Sequence, residues 1–139
     1  MASVGFDSRD ASLIVAVKPS GTTATTVGSD PIDLGPIDAE GVRSEPFEIE
    51  LAIPAFTAAE LASGTTLAVV IQSSNDPTFA AGVTVAASAT IGDGTAYSGG
   101  TIRFRPTLKG DRYWRAAVTT TGEPGATATA KEIVLSYVC

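Results

Sequence analysis

Residues 46–54 read Pro-Phe-Glu-Ile-Glu-Leu-Ala-Ile-Pro. Phe47, Ile49, Leu51 and Ile53 alternate with Glu48, Glu50 and Ala52. A period of two is the signature of a half-buried β-strand, with one row of side chains toward a core and the other toward water. Pro46 and Pro54 stand at its margins, where a missing N–H does least harm to a ladder. This stretch sets the fold class, and the same texture runs outward from it.

Downstream, Leu67, Val69 and Ile71 form a second row, with Ala68 and Val70 on the opposite face. Both faces are apolar, so this strand is expected to be central or covered on both sides. Val83, Val85 and Ala87 mark a weaker strand. Ile102 and Phe104 alternate with Thr101, Arg103 and Arg105. Ile133, Leu135 and Tyr137 alternate with Val134, Ser136 and Val138 in a closing strand. Upstream, Leu13 to Val17 reads as a strand. Residues 18–46 are polar and rich in Gly, Pro and Thr; Thr22 to Val27 is expected to add an edge strand, and the rest to be loop. A loop of that length is usually functional or extended onto a partner.

Turn chemistry divides these runs. Thr57 and Glu60 have capping-box spacing and Gly64 supplies a stop, which predicts one short helix over 57–64. Ser73 to Phe79 and residues 121–126 read as turns, and residues 91–100 as a glycine-rich loop. Leu-Lys-Gly-Asp-Arg at 108–112 reads as a tight hairpin connection, so 101–106 and 112–120 are expected to pair antiparallel. About eight strands without βαβ alternation predict an all-β sandwich of jelly-roll or Greek-key type, a single domain over residues 1–139.

The chain has 139 residues, enough to bury a core without staples, and a single cysteine, Cys139, which excludes an internal disulfide or a multi-cysteine metal site. It has no histidine, which removes the commonest general acid–base group and transition-metal ligand. The N-terminal stretch has no basic segment ahead of a long apolar run, so no secretory leader is expected. No segment approaches the ~20 apolar residues of a membrane helix. A net charge of -6 argues against nucleic acid, whose phosphates call for a basic footprint. The charges are nevertheless polarised along the sequence. Arg103, Arg105, Lys109, Arg112 and Arg115 fall in one region; Asp30, Asp33, Asp38, Glu40, Glu45, Glu48 and Glu50 fall in another.

Within Gly110 to Gly122, Trp114, Ala116 and Val118 share one strand face while Tyr113, Arg115 and Ala117 share the other. Trp114 is expected in the core, flanked by snorkelling arginines. A stacking platform for single strands would need several exposed aromatics on one basic face, and only Tyr113 qualifies. If the two flanking strands pair, Arg103, Arg105 and Arg115 lie on one face, with Arg112 at opposite parity. Glu48 and Glu50 are the internal groups able to neutralise them.

Other chemical candidates are thin. Asp30, Asp33 and Asp38 could offer hard oxygen ligands to calcium, but their spacing matches no loop motif and Asp-Pro is ordinary turn chemistry. Gly92 to Thr95 lacks the lysine and the strand–helix setting of a phosphate loop. Ser73 and Ser74 have no histidine to activate them. No catalytic, cofactor or metal site is expected.

The order of motifs resembles a known family. "TLAVVIQSSNDPTF" (66–79) is followed by "GGTIRFRP" (99–106), "DRYWRAAVTTTG" (111–122) and a closing alanine-rich strand. The Gln72–Asp76 turn and Arg-Tyr-Trp-Arg at 112–115 are its most specific parts. This pattern, over roughly 30–138, is similar to the small capsid cement, or decoration, proteins of tailed phages, of the Bordetella-phage jelly-roll type. The resemblance implies a non-enzymatic virion protein, made in the host bacterial cytoplasm, on the outer capsid surface. There it would clamp major capsid protein subunits and assemble as a homodimer or other small homo-oligomer. Arg103, Arg105, Arg115 and Tyr113 are then the candidate contact to the capsid or to a second copy. A carbohydrate-binding jelly roll, lectin- or adhesin-like, is the alternative; it would call for exposed aromatic platforms and often calcium. A cupin-type enzyme is the least compatible reading, because its metal site depends on histidines.

Overall fold

The computed structural model describes residues 14–34, 48–105 and 111–138. Leu13, Phe47, Asp38, Lys109 and the 106–110 connection, all named above, lie outside the described residues.

Among the described residues, nine strands form two antiparallel sheets. The first contains β1 (Ile14–Val17), β4 (Glu48–Ile53), β7 (Gly100–Phe104) and β9 (Ile133–Val138), in the order β1-β9-β4-β7. The second contains β2 (Thr25–Gly28), β5 (Thr66–Ser74), β6 (Thr84–Gly92) and β8 (Tyr113–Thr121), in the order β2-β8-β5-β6, with β3 (Ile32–Asp33) also paired to β8. Only β2–β3 and β5–β6 stay within one sheet from one strand to the next; every other step changes sheets. That is the jelly-roll arrangement of two packed sheets, and it bears out the expected fold class.

The opening stretch behaves as its parity requires. Ile49, Leu51 and Ile53 point inward and are buried, as are Leu67, Val69 and Ile71 from the facing sheet. Trp114, Ala116, Val118, Ile133 and Leu135 complete the layer between the sheets. Strand β5 is interior, between β8 and β6, as its two apolar faces require.

Two local expectations are corrected. The 101–106 and 112–120 segments do not form a hairpin: β7 pairs with β4, while β8 pairs with β5, β2 and β3. The reason lies in β8 itself. Ala116, Ala117 and Val118 are consecutive and all at most 1% exposed. A strand buried on both faces sits inside a sheet, and here β5 and the β2–β3 segment take its two edges. Strand β7, with Arg103 on its outer face, takes a sheet edge instead.

The expected helix over 57–64 is a turn. The capping box does form: Thr57 N–H donates to Glu60 Oε1 at 2.8 Å and Glu60 N–H to Thr57 Oγ1 at 3.1 Å. The chain then has to cross from β4 to β5, and Gly64 at φ +87° turns it there. Leu61 is fully buried beneath the turn. The short helix is instead α1 (Ala126–Thr129), on the crossing from β8 to β9, with no side-chain cap. Other boundaries shift modestly: β2 starts at Thr25, β5 runs to Ser74 and β6 runs to Gly92.

Candidate functional site

The basic cluster proposed from the sequence divides between the two outer faces of the sandwich. On the first sheet, Glu50 lies directly across from Arg103 in the β4–β7 ladder. Arg103 Nε stands 3.2 Å from Glu50 Oε2, and its Nη1 stands 3.8 Å from Glu48 Oε1. Arg105 Nη2 donates to Glu48 Oε2 at 3.3 Å. The two glutamates therefore neutralise the two arginines across strands, as expected of opposite charges on one sheet face. The carboxylates are the covered partners. Glu50's side chain is 11% exposed, whereas those of Arg103 and Arg105 are 65% and 75% exposed. The result is a pair of guanidinium groups presented at a sheet edge and anchored from beneath.

Arg115 and Tyr113 lie on β8, on the outer face of the second sheet. Arg115 Nε donates to Gln72 Oε1 at 2.9 Å, and its guanidinium lies 4.4 Å from the centroid of the Phe79 ring. It also covers Gly28: a Cβ there would come within 2.5 Å of Nη1. Arg115 thus packs across β2, β8 and the loop after β5, and it shares no face with Arg103 and Arg105. The single four-residue patch is corrected to two separate groups. The cause is the jelly-roll crossing, which sends β7 and β8 to opposite sheets.

Beside Arg115, Arg112 grips Asp33 with Nε at 2.7 Å and Nη2 at 2.9 Å. Hydrogen bonding to that carboxylate raises the guanidinium's already high pKa. The Arg112 side chain also lies 5.1 Å from the Tyr113 ring centroid, and its backbone N–H donates to Asn75 Oδ1 at 2.9 Å. Asp33 is thereby engaged in tying β3 to β8. The 75–81 loop is organised by Asp76, which accepts from Thr78 N–H, Thr78 Oγ1 and Ala80 N–H. Those donors, Thr78 foremost, hold its carboxyl below the ordinary value.

Both serines have structural partners. Ser73 Oγ donates to Asp111 Oδ2 at 2.7 Å, and Ser74 Oγ donates to the Ala81 carbonyl at 2.8 Å. The Gly92–Thr95 segment is a turn whose Asp93 accepts from Gly64 N–H at 2.9 Å. Among the described residues no group of three or more His, Cys, Asp or Glu side chains could hold a metal ion. No helix among them is long and apolar enough to cross a membrane.

One charged cluster escaped sequence reading. Lys131 Nζ donates to Glu60 Oε1 at 2.8 Å and to the Ala55 carbonyl at 2.6 Å, and lies 5.0 Å from the Phe56 ring centroid. The Lys131 hydrogen bond, followed by that from Thr57 N–H, lowers the Glu60 carboxyl to a pKa of about 2. The only sequence signal was the capping box, and it tied Glu60 to Thr57 rather than to a lysine 71 positions after Glu60.

A family model described as Bbp16 matches residues 18–134. No curated protein and no solved structure matches the chain.

Proposed function

The chain belongs to the Bbp16 family, a Bordetella phage protein family, which points to a virion-associated protein; from that premise we propose that it is a non-enzymatic structural protein of the virion. In this reading it binds the outside of the capsid and stabilises contacts between major capsid protein subunits. The family match over most of the chain carries the proposal. Two further features support it. The charged side chains around β3, β7 and β8 pair with one another instead of converging on a cleft. Arg103 of β7 and Arg105 just after it are the most exposed members of the internal ion pairs among the described residues, and their position at a sheet edge suits contact with an acidic partner. Many copies on a repeating lattice also need only modest affinity per contact, since linked contacts add to avidity.

The test is uptake by undecorated heads. The wild-type protein is expected to bind them, less well as salt rises, because exposed charges are screened over ~8–10 Å at ordinary ionic strength. Arg103→Gln with Arg105→Gln, which removes both charges without setting a carboxylate opposite Glu50, is expected to fold and to lose binding. Wild-type protein that ignores the heads would overturn the reading. A double variant that binds like wild type would remove these two arginines from the contact.

A further inference from the structure

We propose that the open edge of β7 takes an extended acidic segment of a partner protein as an added strand, the segment alternating carboxylate and apolar side chains. The inference rests on the function proposed above, in which that partner is the major capsid protein, and it names the mode of contact. Among the described residues, β7 has a partner strand, β4, on one side only. Its other side presents backbone N–H and C=O groups that an extended segment can pair with.

The side chains at this edge define what fits. On the outer face stand the exposed Arg103 and, just after the strand, Arg105. Residues two apart on one strand face are about 6.6 Å apart, the spacing of carboxylates at alternate positions of an added strand. A guanidinium carries five N–H donors, and Arg105 uses one of its own on Glu48, so donors remain for a second carboxylate. On the inner face Ile102 and Phe104 pack against the core but are only half-buried, so apolar side chains of an added strand would extend that row. The protein already holds such a strand. On the paired side of β7, β4 sets Glu50 opposite Arg103, with Ile49 opposite Phe104 and Leu51 opposite Ile102. The proposed segment repeats that pattern on the open side.

Charge selects the occupant. The other edge strands β1, β2 and β6 carry no charged residue, and Asp33 of β3 is gripped by Arg112. The net charge of -6 repels an acidic segment from the molecule at large, which confines its approach to the place where guanidinium groups project. A second β7 laid on this edge would bring arginines toward arginines, so the edge does not suit a further copy of itself.

The experiment uses the purified full chain and a synthetic peptide, Thr-Val-Glu-Val-Glu-Val-Thr, with backbone amide shifts and exchange followed by NMR. The peptide is expected to shift the amide signals of residues 100–104 and to slow their exchange, and to lose this effect in high salt and against Arg103→Gln/Arg105→Gln. The same peptide with Lys for Glu should leave β7 unchanged. Two further peptides carry N-methyl groups on one or the other alternate set of backbone nitrogens. One of them should fail and the other should bind, because only one set faces β7 in a ladder. Unmoved β7 signals, or two methylated peptides that both act like the parent, would overturn strand addition. Should the heads nevertheless take up wild type, the proposed function would stand and only this mode of contact would fall. Peptide binding at β7 together with heads that ignore the protein would support the edge as an acidic-strand site and overturn the capsid reading.

Discussion

Phe104 of β7 and Trp114 of β8 meet across the sandwich with ring centroids 5.9 Å apart and planes tilted by 39°. They are ten positions apart in sequence, yet they face each other from opposite sheets. Such tilted aromatic pairs contribute beyond the area that they bury. Trp114 is 4% exposed, and its Nε1–H donates to the Asp111 carbonyl at 3.1 Å, so both its apolar body and its polar tip are accommodated.

Trp114→Ala is therefore expected to cost roughly 3–5 kcal/mol, the usual penalty for emptying a large aromatic site. Denaturant unfolding measures the loss. Native wild-type fluorescence should be blue-shifted; an emission maximum already at the position of solvated tryptophan would contradict core placement.

Glu60 sets an acid-sensitive limb. Its carboxyl is lowered from 4.5 to about 2, so the folded state binds this proton less readily than the unfolded chain. The contribution is complete above the unfolded value and is lost as the pH falls from about 4.5 through about 2. In Glu60→Gln this part of the pH dependence should vanish. Melting curves of the two proteins should converge toward pH 2 and separate above pH 4.5; parallel curves would exclude the Lys131 pair as the source.

Gly122 stands at φ +83°, and a Cβ there would fall 2.6 Å from Thr65 Oγ1 and 2.7 Å from the Gly64 carbonyl. The second neighbour is backbone and cannot swing away. Gly122→Ala should destabilise by roughly 1–3 kcal/mol through backbone strain, with the clash adding to it. Thermal unfolding tests it, and Gly82→Ala, with positive φ but open space, should be the milder of the two.

Arg112→Lys keeps the charge but removes the two-pronged grip on Asp33. It should loosen β3 against β8, seen as faster exchange at the Ile32 and Asp33 amides with little change at β5. Equal exchange in both proteins would show that the pair does not hold β3.

Calcium should leave the melting temperature unchanged, because Asp33 is committed to Arg112 and a ligand selective for the folded state would raise it. A rise that tracks calcium concentration would contradict this.

Parity was legible in the sequence. Which residues of 48–53, 66–71 and 133–137 face the core follows from the alternation of side chains along a strand, a property of each strand alone. The burial of Trp114 followed from the same rule; that Glu48 and Glu50 partner Arg103 and Arg105 rested in addition on β7 lying beside β4. Strand neighbours were not legible. Residues 108–112 carry turn chemistry that suits a hairpin, and β7 followed by β8 could have satisfied it locally. The outcome was decided by competition among distant strands for the two edges of a β8 that is buried on both faces. That competition sent β7 to β4 and separated Arg115 and Tyr113 from Arg103 and Arg105. The capping box at Thr57 shows the same division: its hydrogen bonds form as local chemistry dictates, but the segment stays a turn, ended by Gly64 at positive φ, and does not extend into a helix. The sequence by itself determined which side chains are inside, because that depends on spacing along one strand. Only the tertiary structure decided which charged groups share a surface, because that depends on which sheet each strand joins.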